Sequence, residues 1–164
     1  MPSNRPSGAG FVLDAVLNWL IPGAGYLRRG RYIRALLIFV LINGTFVAGL
    51  SLQGSVTPPI WDGSGGGIIS MLTFIIQLGS GLFSGLSFFA VQGMRRMNAL
   101  GFQPAPIVRF FSGWQPHATF ELGSFYILVS GAMNYFFITN MYDRYRRDPL
   151  GRAIARKTAR DKAS

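Results

Sequence analysis

Residues 19–34 read Trp19-Leu20-Ile21-Pro22-Gly23-Ala24-Gly25-Tyr26-Leu27-Arg28-Arg29-Gly30-Arg31-Tyr32-Ile33-Arg34, and a largely apolar run continues to Gly49. A short apolar segment stops at Pro22, which biases the residue before it out of the α region. Gly23, Gly25 and Gly30 permit tight reversals. Four arginines, Arg28, Arg29, Arg31 and Arg34, then crowd the start of a helix long enough to cross a bilayer. This order of stop, turn, charge and span sets the expectation for the chain: an all-α integral membrane bundle with its arginines at an interface.

The bulk composition points the same way. The 164-residue chain is 49% hydrophobic and 13% charged, where a soluble domain carries about 25% charged residues. Its apolar residues lie in long runs rather than at amphipathic spacing, so lipid is the expected solvent. Net charge is +10, and the basic residues sit outside the apolar runs, as the cost of charge in hydrocarbon requires. Cysteine is absent, which excludes disulfides, thiolate nucleophiles and Cys-ligated metals. Asp14 and Asn18 interrupt the first apolar stretch and arginines follow it, a pattern unlike a cleaved signal peptide.

Outward from the opening stretch, residues 1–9 read as a disordered tail. Residues 10–21 read as a short helix with Asp14 and Asn18 on one face. Twelve residues rise only about 18 Å, so this helix is expected to lie in the interface or enter partway, with Asp14 on its solvated face. Three spans are expected, at 32–53, 68–93 and 119–141. The loop 54–67 has no Lys or Arg and offers Trp61 as an interfacial anchor.

The second span is the unusual one. Its 26 residues would rise about 39 Å as a helix, so it must tilt or break. Gly81 with Gly85 and Ser80 with Ser84 form two small-x-x-x-small pairs, and with Gly79 they make the expected packing face of the bundle. Gln77 is expected to bridge helices by hydrogen bonds. Residues 94–118, with breaks at Pro104 and Pro106, read as an interfacial loop carrying a surface helix, with Trp114 among its aromatics. In the third span Thr119 suits a cap and Glu121 suits the first turn. Gly131 offers a packing surface, and Asn134, near mid-span, is expected to face protein. Residues 142–164 form a basic tail in which Asp148-Pro149 signals a new short helix to about Lys162.

Charge bias leaves the orientation in conflict. Arg5 stands alone in the N-terminal tail, four arginines lie at 28–34, three at 94–119 and eight basic residues in the C-terminal tail. Three full spans divide these eight against eight, whereas the positive-inside rule expects a bias. One escape is a glycine-rich segment that crosses halfway and returns.

The segment Pro22-Gly23-Ala24-Gly25-Tyr26-Leu27-Arg28-Arg29-Gly30-Arg31 resembles the P-G-x-G-H-x-Y-x-G-R signature of a family of small, uncharacterised bacterial multi-pass membrane proteins. Glu121-Leu122-Gly123 with Tyr126, and Gly131 with Asn134 and Asp143, look like the same family's C-terminal span. The turn is more distantly similar to that of the two-transmembrane-helix domain family. Tyr26 stands where the family usually has His, and Arg28 where it has an aromatic, so no His-based role carries over. The resemblance implies a multi-pass fold in the bacterial inner membrane and implies no activity.

No catalytic constellation emerges, and the chain is not expected to be an enzyme or to hold a cofactor or metal. The glycine turn lacks the strand and the G-K-[ST] of a phosphate loop. His117, the single histidine, has no nucleophile or metal-ligand spacing beside it. Two readings remain. The first is a non-enzymatic accessory or assembly protein that packs against itself or a larger complex. The second is lipid or solute handling, with Arg28, Arg29 and Arg31 on an anionic headgroup. The basic segments are expected to meet anionic lipid rather than nucleic acid.

Overall fold

A computed structural model describes residues 8–59, 65–103, 105–112 and 118–161. The fold is helical, and no strand occurs among the described residues. In chain order the helices are α1 (Gly8–Leu20), α2 (Ala24–Arg28), α3 (Tyr32–Ser51), α4 (Gly65–Gln77), a 3-10 turn (Leu78–Ser80), α5 (Leu82–Ala99), α6 (Pro106–Ser112) and α7 (Phe120–Asp161). The expectations for the N-terminal tail before Gly8, and for Trp61, Pro104, Trp114 and His117, lie outside the described residues.

Helix α1 ends where Pro22 and Gly23 dictate. A Cβ on Gly23 would run into the backbone of Ala35, so α1 and α2 fold back tightly onto the start of α3. Helix α2 closes at Gly30, whose φ of 72° lies in the left-handed region. There Gly30 N–H bonds Leu27 O at 2.9 Å and Arg31 N–H bonds Tyr26 O at 3.0 Å, the paired C-terminal bonds of a Schellman cap. The same pair closes α3, with Gln53 N–H to Leu50 O and Gly54 N–H to Gly49 O, although there the left-handed residue is Gln53.

Helices α3 and α7 form the antiparallel axis of the fold. At one end Thr119 donates its hydroxyl to Leu52 O at 2.8 Å. Nearby, Gly49 and Gly123 let the backbones touch: a Cβ on Gly49 would lie 2.6 Å from Gly123 O. At the other end Arg34 and Arg144 line one cavity. Among the described residues two helices are long and apolar enough to cross a membrane, Tyr32–Ser51 and Phe120–Arg144.

The expected span at 68–93 is divided. A continuous helix would set Phe74 and Phe88 about 21 Å apart, yet their ring centroids lie 5.2 Å apart. The chain breaks through the 3-10 turn into Gly81, where φ is 66° and ψ is −126°, a region open essentially to glycine. Of the small residues that suggested a packing face, Gly81 thus serves a reversal. The C-terminal expectation differs as well, because α7 runs unbroken through Asp148 and Pro149 to Asp161. Proline's fixed φ is helical, and it forfeits one hydrogen bond, which the Ala-, Arg- and Lys-rich sequence around it tolerates.

Two apolar clusters fill the interior. Tyr26, Ala35, Ile38, Ile42 and Met141 form one at the arginine end. Phe46, Leu50, Val56 and Ile127 form the other toward the opposite end. Between them along α7 lies a layer of buried polar residues.

Candidate functional site

That polar layer is built where two interrupted segments meet α7. Asn134 is fully buried. Its Nδ2 donates to Asn18 O at 3.0 Å and Gly79 O at 2.8 Å, two carbonyls that helix ends leave without an intrahelical donor. Its Oδ1 accepts from Asn18 Nδ2 at 3.1 Å, and Asn18 Oδ1 accepts from Gly23 N–H at 3.0 Å. One asparagine pair therefore ties the end of α1, its following turn and the break after α4 to a single turn of α7. Gly81 is pressed against Trp19 O and Leu20 O, and Gly79 and Gly131 pack backbone to backbone. The hydroxyls of Ser80 and Ser130 are bonded to each other. Ser84 donates to Gln77 O at 2.6 Å, and Gln77 Oε1 accepts from Thr57 N–H at 2.8 Å.

Of the small residues singled out by sequence, Gly79, Ser80, Gly81, Ser84, Gly131 and Asn134 converge on this junction. Gly85 does not, since a Cβ there would meet nothing within 4 Å. The close approach of Gly49 to Gly123 escaped the sequence reading. Each helix contributes a single glycine there, and no paired spacing flags it.

The arginines divide into two groups. Asp14 is 2% exposed and lies inside, not on a solvated face. Its carboxylate accepts from Arg28 Nε and, at 2.7 Å, from Arg29 Nε. Arg28 also donates to Gly10 O at 2.9 Å, and the Asp14 contact holds its guanidinium above the usual range. Buried charges are kept by pairing, and here the pair closes the α1–α2 hairpin. Two of the three arginines expected on a lipid headgroup, Arg28 and Arg29, are thereby committed to an internal partner, and Arg31 is not.

Arg31, Arg34 and Arg144 make no ion pair among the described residues. With Gly30, Tyr32 and Ile33 they line a cavity of about 430 Å³. A second cavity of about 270 Å³ shares Arg34 and Arg144 and continues along Tyr26, Leu37, Ile38, Leu41 and Phe137. Burial pushes the Tyr26 phenol above its ordinary value, against the pull of Arg144, Arg29, Arg34 and Arg31. Its hydroxyl donates to Phe137 O at 3.3 Å. No group of three or more His, Asp or Glu side chains placed to hold a metal occurs among the described residues.

A family model matches residues 13–156, and its description is a family of unknown function (DUF6677). No curated protein and no solved structure matches the chain.

Proposed function

The chain belongs to this family of unknown function, and from that footing we propose that it is a non-enzymatic integral membrane protein of the bacterial inner membrane, acting as a packing or assembly subunit. One observation carries the membrane part: polarity is distributed inside out. Ile33, Leu36, Leu37 and Val40 on α3 are 59–78% exposed, while Asp14, Asn18, Gln77 and Asn134 are at most 2% exposed. In water, buried polar side chains and exposed large apolar faces are each the exception. In lipid they are the rule, because irregular backbone at membrane depth must be satisfied inside the protein. Asn134 supplies that satisfaction to the end of α1 and to the break after α4.

On this reading α3 and the first part of α7 are full spans. The 20 residues of α3 rise about 30 Å, the thickness of a hydrocarbon core. The 13 residues of α1 and of α4 rise about 20 Å each and enter partway. The assembly role is supported by the apolar outer faces of α4 and α5, where Ile68, Leu72, Leu82 and Phe89 are 57–77% exposed. It is supported also by Gly44 and Gly85, at which a Cβ would meet open space and a neighbouring helix could approach closely. Mild-detergent extraction from native membranes, followed by size analysis and identification of co-purifying chains, tests it. A stoichiometric partner or homo-oligomer that is lost with Gly44→Leu and Gly85→Leu supports the assembly role. A lone monomer overturns it.

A further inference from the structure

We propose that the joined cavities between the start of α3 and Arg144 of α7 bind one anionic phospholipid, its phosphate on Arg31, Arg34 and Arg144 and an acyl chain in the slot below. The inference rests on the membrane location proposed above and goes beyond the packing role. Its basis is a change of character across two cavities that share Arg34 and Arg144. At the outer end three guanidinium-bearing side chains line the larger cavity, and none of them makes an ion pair with a described side chain. Arg144 Nε donates to Asn140 Oδ1 at 3.0 Å, a neutral partner. The neighbouring arginines, Arg28 and Arg29, show the contrast, since Asp14 takes both.

The register of the two helices then fixes what lies beneath the charges. Arg34, Leu37, Ile38 and Leu41 share one face of α3, and Phe137, Asn140 and Arg144 share one face of α7. Because the helices run antiparallel, both arginines stand at the same end and both apolar series run inward from it. Guanidinium groups match phosphate oxygens bidentately. The first turn of α3 adds the positive end of a helix dipole. A free phosphate would use only the arginines. An apolar slot opening directly beneath them suits a molecule that joins a phosphate to a hydrocarbon chain. Three cations with no ion pair to a described side chain favour a headgroup of net negative charge over a zwitterionic one.

The test uses the full chain, reconstituted in nanodiscs of phosphatidylglycerol mixed with phosphatidylcholine, with retained lipid read by native mass spectrometry. One phosphatidylglycerol per chain is expected, retained in preference to phosphatidylcholine. Each of Arg31→Gln, Arg34→Gln and Arg144→Gln should weaken that preference about fivefold, and the triple variant should abolish it. Arg95→Gln with Arg96→Gln, on α5, should leave it unchanged. Leu37→Trp with Leu41→Trp, at positions 63% and 49% exposed, should fill the slot and displace the lipid while leaving the arginines in place. Equal retention of the two lipids, or a triple variant that binds as the wild type does, overturns the site. Displacement of the lipid by inorganic phosphate, with no effect of the two tryptophans, overturns the lipid in favour of a free anion. Alkaline carbonate extraction separates the two levels. A chain released from membranes by carbonate overturns the membrane reading itself, whereas a chain that stays embedded without lipid preference overturns only the site.

Discussion

Gly81 and Gly85 look equivalent in a sequence and are opposites in the fold. Gly81 sits at φ 66° and ψ −126°, with Trp19 O and Leu20 O where its Cβ would go. Gly81→Ala should destabilise by at least about 1–3 kcal/mol from backbone strain alone, with steric conflict added. Gly85→Ala should be neutral or stabilise by up to about 1 kcal/mol through helix propensity. Thermal unfolding of the two variants in one detergent checks the contrast, and equal losses would mean that both glycines pack one continuous helix. Asn134 is the second single-residue pivot. Asn134→Leu removes a donor to Asn18 O and Gly79 O and the acceptor of Asn18 Nδ2. Each stranded buried group costs about 1–3 kcal/mol. The variant should therefore unfold well below wild type in the same assay, while Ala132→Leu, on the exposed side of α7, should not.

At the scale of elements, hydropathy and arginine placement made α3 and the apolar part of α7 legible, because length and composition decide a span locally. The Pro22-Gly23 stop and the Gly30 turn were legible too, because proline and left-handed glycine act on their own neighbours. The division of 68–93 was legible only as one of two alternatives, a tilt or a break. Small residues in an apolar run serve either close packing or a break, and the choice here is made by the carbonyls of Trp19 and Leu20 and by Asn134, which lie far away in the chain. The Asp14 pairing was hidden for a similar reason. Its partners are 14 and 15 residues away, a spacing that only the reversal at Pro22 and Gly23 brings together. The α3–α7 contact supplies a test of what the sequence left out. Gly49→Ala would set a Cβ 2.6 Å from Gly123 O and 2.8 Å from Ile127 Cγ1, whereas Gly44→Ala meets nothing within 4 Å. Gly49→Ala should lower the unfolding temperature by forcing the helices apart, at about 1–3 kcal/mol as for overpacking elsewhere. Gly44→Ala should leave it unchanged.

For the whole molecule, the broken segment would, on the membrane reading proposed above, resolve the charge conflict. With three full spans the arginines at 28–34 and those beyond 142 fall on opposite sides. With α3 and α7 as the full spans they share one, as the common cavity of Arg34 and Arg144 requires. One basic face and one weakly charged face is the arrangement that the positive-inside rule favours, so the shared end should be cytoplasmic. The chain has no cysteine, so single introduced thiols report sidedness directly. Tyr32→Cys and Asp143→Cys mark the basic end, both at exposed positions, and Ser51→Cys marks the exposed opposite end of α3. In intact cells a membrane-impermeant maleimide should label Ser51→Cys and spare the other two, and all three should react after permeabilisation. Labelling of Tyr32→Cys and Asp143→Cys from opposite sides would restore a third full span. It would also dissolve the shared basic cavity, since α3 and α7 could not then be antiparallel neighbours.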